Sequence, residues 1–230
     1  MFGVRPILLP APSLIAEELI ASPGWFAAQT AYTLGITLAG FAVATVFGVL
    51  FAILIVEWKV LDRLLFPLFV ALNSVPKVAL APLFLIWFGT GAEPKIVIAF
   101  LIAVFAVVID TALGLQSVSP DTIDLAKTLR GSRLKVLLRI KLYCALPHVF
   151  AGLKVAMSLA LVGAIVGEFV SSQRGLGYVI LTAQGTFDTP RVFAAIAILA
   201  VLGVALIALI GMVERFALPW HHASSRRAEQ

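Results

Sequence analysis

A chain of 230 residues is long enough for one soluble domain, but 61% hydrophobic residues, only 13% charged ones and a mean hydropathy of +1.07 exclude that class. The net charge of +5 would suit nucleic acid in a soluble protein; here it reads as Lys- and Arg-rich loops on one side of a membrane, with no nucleic acid expected. The single Cys144 excludes an internal disulfide and a cysteine-based metal site.

The N-terminal MFGVRPILLPAPSLIAEELIASPG is not a signal peptide, because prolines interrupt its apolar run and no A-x-A-like site follows. Leu19 to Val56 carries no charge, which predicts a first span over about 26–56, long enough to tilt or to begin as an interfacial helix. Gly35, Ala39, Gly40, Ala44 and Gly48 recur along it and predict close helix packing. A second span is expected over about 64–88, broken near its middle by Pro76 and Pro82. A third follows over about 95–115.

Between the third and fourth spans lies a basic, amphipathic insert, about 117–142. It carries Lys127, Arg130, Arg133, Lys135, Arg139 and Lys141 out of 17 Lys and Arg residues in the chain. Asp121 and Asp124 fall in the first turn of a short helix, where negative charge opposes the helix dipole favourably. Leu125 and Leu129 then share one face, and Gly131 permits a turn. A second helix over about 133–142 is expected to set Val136, Leu137, Ile140 and Leu142 toward apolar surroundings, with Arg139 and Lys141 reaching water or lipid phosphate. The fourth span covers about 145–170 and the fifth about 191–212, within the uncharged run Val192 to Val213. His148 beside Pro147 reads as an interfacial residue. The tail over 217–230 is polar and reads as disordered; its His221 and His222 are too few for a structural metal site.

These runs are continuous rather than alternating, which argues against a β-barrel. The fold class is therefore all-α: a polytopic membrane protein with about five transmembrane helices, forming one domain over residues 1–230 with a helix–turn–helix in water. With the C-terminus cytoplasmic, the inside holds Lys59, Arg63, the six basic residues of the insert, Arg215, Arg226 and Arg227, a total of 11. The outside holds Arg5, Lys95, Arg174 and Arg191, a total of 4, and the asymmetry places the N-terminus outside. An intramembrane enzyme is not expected. Asp110 and Glu168 are the only intramembrane acids, and His148 and Ser171-Ser172 lie toward opposite faces.

The insert resembles the signature of the inner-membrane permease subunits of ATP-binding-cassette importers that depend on a binding protein. That signature runs Glu-Ala-Ala, three residues, Gly, nine residues, Ile-x-Leu-Pro. Asp124-Leu125-Ala126 stands at the first element, and Ile140 and Leu142 at the last. Arg130 occupies the usual Gly, with Gly131 one later, and Tyr143 replaces the first Pro; Ala145-Leu146-Pro147 matches a second Leu-Pro. Pro76-Lys77-Val78-Ala79-Leu80-Ala81-Pro82-Leu83, Trp87-Phe88-Gly89, Gly175-Leu176-Gly177-Tyr178 and the segment from Phe187 to Phe193 resemble the subgroup importing sulfonates, taurine, nitrate, or thiamine and riboflavin precursors. The resemblance covers about residues 8–216. Subgroup members usually have six spans, so either the protein starts upstream of Met1 or the first span is dispensable.

The resemblance implies a bacterial inner-membrane permease homodimer, two cytoplasmic ATPase subunits, a periplasmic solute-binding protein and surrounding lipid. Asp124, Leu125, Ala126, Leu129, Arg130 and Gly131 would couple it to the ATPases. No G-x-x-x-x-G-K-[ST] motif exists, and Gly89 to Lys95 only echoes it, so ATP and Mg belong to the partner and no cofactor is expected on this chain. A self-sufficient channel or secondary transporter is the alternative, but it would not need the basic insert. Three intramembrane charges are candidates for the pathway or its gating. Lys77, between two prolines, either attracts an anionic solute or snorkels or pairs within the protein. Asp110 is either its ion-pair partner or a helix-contact residue, and Glu168 is expected to pair with Arg174 in a structural or gating role.

Overall fold

The computed structural model describes residues 10–128 and 132–219. The N-terminal segment 1–9, the tail beyond residue 219 with its paired histidines, and the expected turn at Leu129, Arg130 and Gly131 lie outside the described residues. Every regular element among the described residues is helical. They are α1 (Pro12–Ala21), α2 (Pro23–Glu57), α3 (Lys59–Asn73), a 3-10 turn (Lys77–Leu80), α4 (Ala81–Phe88), α5 (Glu93–Gln116), α6 (Pro120–Thr128), α7 (Arg133–Val136), α8 (Leu142–Ser171), α9 (Leu176–Gly185) and α10 (Thr189–Ala217). Four helical stretches are long and apolar enough to cross a membrane, and the broken pair α3–α4 makes a fifth if it counts as one span. The polytopic all-α class expected from the apolar runs is the class observed.

The helices run somewhat beyond the expected spans, and the local chemistry differs from expectation in three places. Pro76, which lacks an N–H, precedes the 3-10 turn and marks the break in the second span. Pro82, expected to share in that break, instead starts α4, where a missing N–H costs nothing. Pro67 is tolerated inside α3. The second helix of the insert is not a separate element: α7 passes through one π-turn (Leu137–Lys141) straight into α8, giving a continuous stretch Leu134–Ser171 of 38 residues. Its sequence has no glycine between Leu134 and Phe150, and Pro147 is absorbed inside α8. Finally, the SSQRGLGY turn leads into α9, whose 10 residues fall short of a span and escape a search for long apolar runs.

Two compact units divide the chain, and α2, α5, α8 and α10 each contribute a segment to both. The first unit takes residues 10–42, 76–102 and 157–206. One part of its core gathers Phe26, Leu176, Val179, Ala194 and Ala195, with Ile15 and Leu19 of α1 packed against them. A second part gathers Ala81, Phe84 and Ile98 with Val166. Gly40 of α2 and Gly163 of α8 both press on Ala99 of α5; a Cβ at Gly40 would stand 2.5 Å from the Ala99 Cβ. The second unit takes residues 43–75, 103–156 and 207–219. There Gly48 packs on Val107, and Gly114 on the backbone of Ala145. Phe69 stacks on Phe105 at 4.2 Å and meets Phe51 at 5.4 Å. The small-residue stripe of α2 is thus a packing seam at Gly40, Ala44 and Gly48, whereas a Cβ on Gly35 would meet nothing within 4 Å.

Candidate functional site

The insert begins with a capped helix. Ser119 is the cap of α6: its hydroxyl accepts the Thr122 N–H at 3.4 Å and contacts the Thr122 hydroxyl at 2.8 Å. Asp121 lies in the first turn, on the favourable side of the helix dipole. Ala126 turns inward and is buried, whereas Leu125 is 62% exposed and Asp124 is exposed. The face that carries Leu125 is therefore presented outward. Leu129, Arg130 and Gly131, the other expected coupling residues, lie outside the described residues.

Past the turn, Ser132 caps the next helix through the Lys135 N–H, and Val136 is buried as expected. Lys141 departs from expectation. Its ammonium does not reach for water or lipid phosphate but pairs with Glu57, at the end of α2, at 2.5 Å. Leu134 and Leu138, one turn apart, are more than half exposed.

The three intramembrane candidates have different surroundings. Lys77 opens the 3-10 turn and is half-buried, in the first unit. Asp110 belongs to the second unit, where its Cβ sits against Gly152 of α8 so closely that a Cβ on Gly152 would approach it to 2.7 Å. Glu168 is fully buried at the centre of a polar knot in the first unit. Its Oε1 accepts from the Thr33 hydroxyl at 2.8 Å and its Oε2 from the Gly177 N–H at 2.7 Å. Thr33 Oγ1 in turn accepts the Leu176 N–H at 2.8 Å, and Gln29 Oε1 accepts the Gly175 N–H at 2.6 Å. Three of the N–H groups that the start of α9 leaves without intrahelical partners are thereby satisfied. Glu168 does not pair with Arg174: both of its oxygens are engaged by Thr33 and Gly177, and Arg174 instead bonds through its backbone to Ser172. Gly175 makes the knot possible. Its φ of 101° and ψ of 163° are open essentially to glycine alone, and a Cβ there would collide with the Glu168 carboxyl.

Other charged partners were not expected from the sequence. Arg191 at the start of α10 meets Glu18 of α1 at 2.7 Å and Asp188 at 3.4 Å, and lies over the Trp25 ring. Lys154 of α8 pairs with Glu214 of α10 at 2.5 Å. Lys95, counted above among outer-side charges, is only 1% exposed, and its ammonium donates back to the Thr90 and Gly91 carbonyls at 3.2 and 2.6 Å. A usable signal exists for some of these: Gln29 and Thr33 are polar residues four apart in the uncharged run Leu19 to Val56, and Lys154 and Glu214 are opposite charges in two long apolar helices.

Residues 18–217 match the family described as the inner-membrane component of binding-protein-dependent transport systems. The chain is 34% identical to the riboflavin transport system permease protein of Chloroflexus aurantiacus, over 95% of this chain and 82% of the relative. It is also 34% identical to the formylaminopyrimidine transport permease protein of Halalkalibacterium halodurans, over 94% of this chain and 87% of the relative. With the taurine transport system permease protein of Escherichia coli the identity is 33%, over 95% and 82% respectively.

Proposed function

Because the chain belongs to the inner-membrane components of binding-protein-dependent transport systems, we propose that two copies of it form the solute pathway of an ATP-driven importer, coupled through residues about 121–131 to cytoplasmic ATPase subunits and supplied by an external solute-binding protein. Its long apolar helices and its family make it a multi-pass inner-membrane permease subunit. The observation that carries the reading is the extent of the family match, which takes in every helix from α2 to α10. That extent disfavours a self-sufficient channel.

ATP and Mg sit on the partner, since this sequence has no phosphate-binding loop of its own. The partner docks on α6, where the outward Leu125 stands beside Asp124 on a helix stiffened by the Ser119 cap. Closure of the ATPases around ATP displaces that helix and shifts the permease between inward-open and outward-open states, as differential binding to two states requires. The C-terminus lies in the cytoplasm with the insert, in keeping with the 11-to-4 distribution of positive charge. Lys77, at the break of the α3–α4 pair, faces the pathway, and Asp110 acts through helix contact. Glu168 acts as a structural anchor of α9.

The test is Leu125→Asp combined with Leu129→Asp. The variant is expected to insert into the membrane at wild-type levels and to lose co-purification with the ATPase together with uptake. Normal co-purification and uptake would overturn the coupling assignment.

A further inference from the structure

An open cavity in the first unit lies between the turn leading into α5 and the turn leaving α8, lined by Tyr32, Thr90, Lys95 and the run from Ser171 to Arg174. We propose that it binds the oxyanion group of a small solute, a sulfonate, phosphate or carboxylate.

The argument rests on an imbalance of donors and acceptors. Lys95 is buried, yet no carboxylate lies within ion-pair distance of it among the described residues; its ammonium has only the two carbonyls of Thr90 and Gly91. The Glu168 carboxylate feels the Lys95 charge through space without an ion-pair contact, so Lys95 and Arg174 together leave this wall with two cations against one carboxylate. Arg174 brings a second cation to the same wall, and its guanidinium makes no ion pair among the described residues. The centroid of the Tyr32 ring lies 6.0 Å from the Lys95 ammonium, and Tyr32 belongs to the same lining. Among the described residues no acidic side chain lines the cavity; Glu168, one residue beyond the Gly167 that packs on Lys95, lies behind it with both oxygens hydrogen-bonded to Thr33 and Gly177.

The loop is also set in place before any ligand arrives. Ser172 Oγ accepts the Arg174 N–H at 3.2 Å, which fixes the backbone that carries the guanidinium. Arginine offers several N–H groups in a fixed plane, suited to two oxygens of one anion, while a lysine supplies a point charge. The site is therefore built for a compact oxyanion rather than for an extended apolar ligand.

That the anion is part of an imported solute rests on the importer reading; that the cavity binds an anion does not. The experiment uses the full chain in neutral phosphatidylcholine nanodiscs, with sulfate and methanesulfonate as probes, measured by calorimetry. Both probes are expected to bind, and Arg174→Gln is expected to raise each Kd about tenfold, as loss of one charge-assisted hydrogen bond would. Lys95→Met serves as a second variant, with helix content checked, because its carbonyl contacts also hold the turn. Absence of binding by the unaltered chain, or an unchanged Kd in Arg174→Gln, overturns the site. In vesicles carrying the assembled importer, sulfate that inhibits uptake in the unaltered chain but not in Arg174→Gln identifies the solute as the occupant. Binding without inhibition supports the site with a free inorganic anion as its occupant. Because the calorimetric arm needs neither the ATPase nor transport, its failure leaves the importer reading standing.

Discussion

Lys77 is the residue whose role differs most between the two readings its position allows. A lysine at the break between α3 and α4 either contributes positive charge to the pathway or serves local structure. Lys77→Met keeps much of the side-chain length and removes the charge. The expected outcome is normal assembly and basal ATPase activity, with uptake of an anionic solute reduced about tenfold or more. Normal uptake would overturn the pathway assignment; failed assembly would make Lys77 structural. At this scale the sequence identifies which charges are costly but not what they touch. Glu168 and Arg174 are six residues apart and of opposite sign, so pairing was the natural expectation. The actual partners, Thr33 and the Gly177 N–H, come from α2 and from a helix start that only the folded chain brings together.

At the scale of elements, long apolar runs translate directly into helices because in lipid each backbone group must be satisfied within its own segment. Four of the five expected spans are accordingly matched by single long helices with their ends displaced, and the second falls on the broken pair α3–α4. What the runs do not reveal are elements shorter than a span. The helix α9 is held by side chains rather than by length, and its stop is equally local. Phe187 adopts a φ of 57° while the Phe187 and Asp188 N–H groups return to Gln184 and Ala183, a helix end usually built on glycine. The Glu168 knot predicts a graded response. Glu168→Ala leaves the Gly177 N–H unpaired and is expected to destabilise the protein by about 1–3 kcal/mol. Glu168→Gln should lose less, since an amide oxygen still accepts from Gly177 and the amide N–H can donate to Thr33. Unfolding of the two variants in one detergent system checks the order, and equal losses would refute it.

For the whole molecule, the distribution of positive charge and the odd number of expected spans predict an arrangement with the N-terminus outside and the C-terminus inside. Cys144 is exposed, so the measurement needs a Cys144→Ser background. In it, cysteines introduced at Ser13 and at Ser225 are tested with a membrane-impermeant thiol reagent. Labelling at position 13 in intact cells, and at position 225 only after permeabilisation, is the expected result. Labelling of both from one side would overturn the arrangement. Positive charge is legible in sequence at this scale because orientation depends on where charges fall along the chain. It says less about the folded state, where Lys141 is already neutralised by Glu57 and Lys154 by Glu214.

The bond from Glu168 to Gly177 has a consequence in the entropy of the chain. It joins residues nine apart and so closes the segment that carries Ser171 to Arg174 into a small ring. Chain closure removes part of the freedom that a connecting segment would otherwise retain. A ligand meeting Arg174 therefore has less to immobilise, and less of its interaction energy is lost to ordering. Opening the ring should weaken binding at a cavity that Glu168 itself does not line.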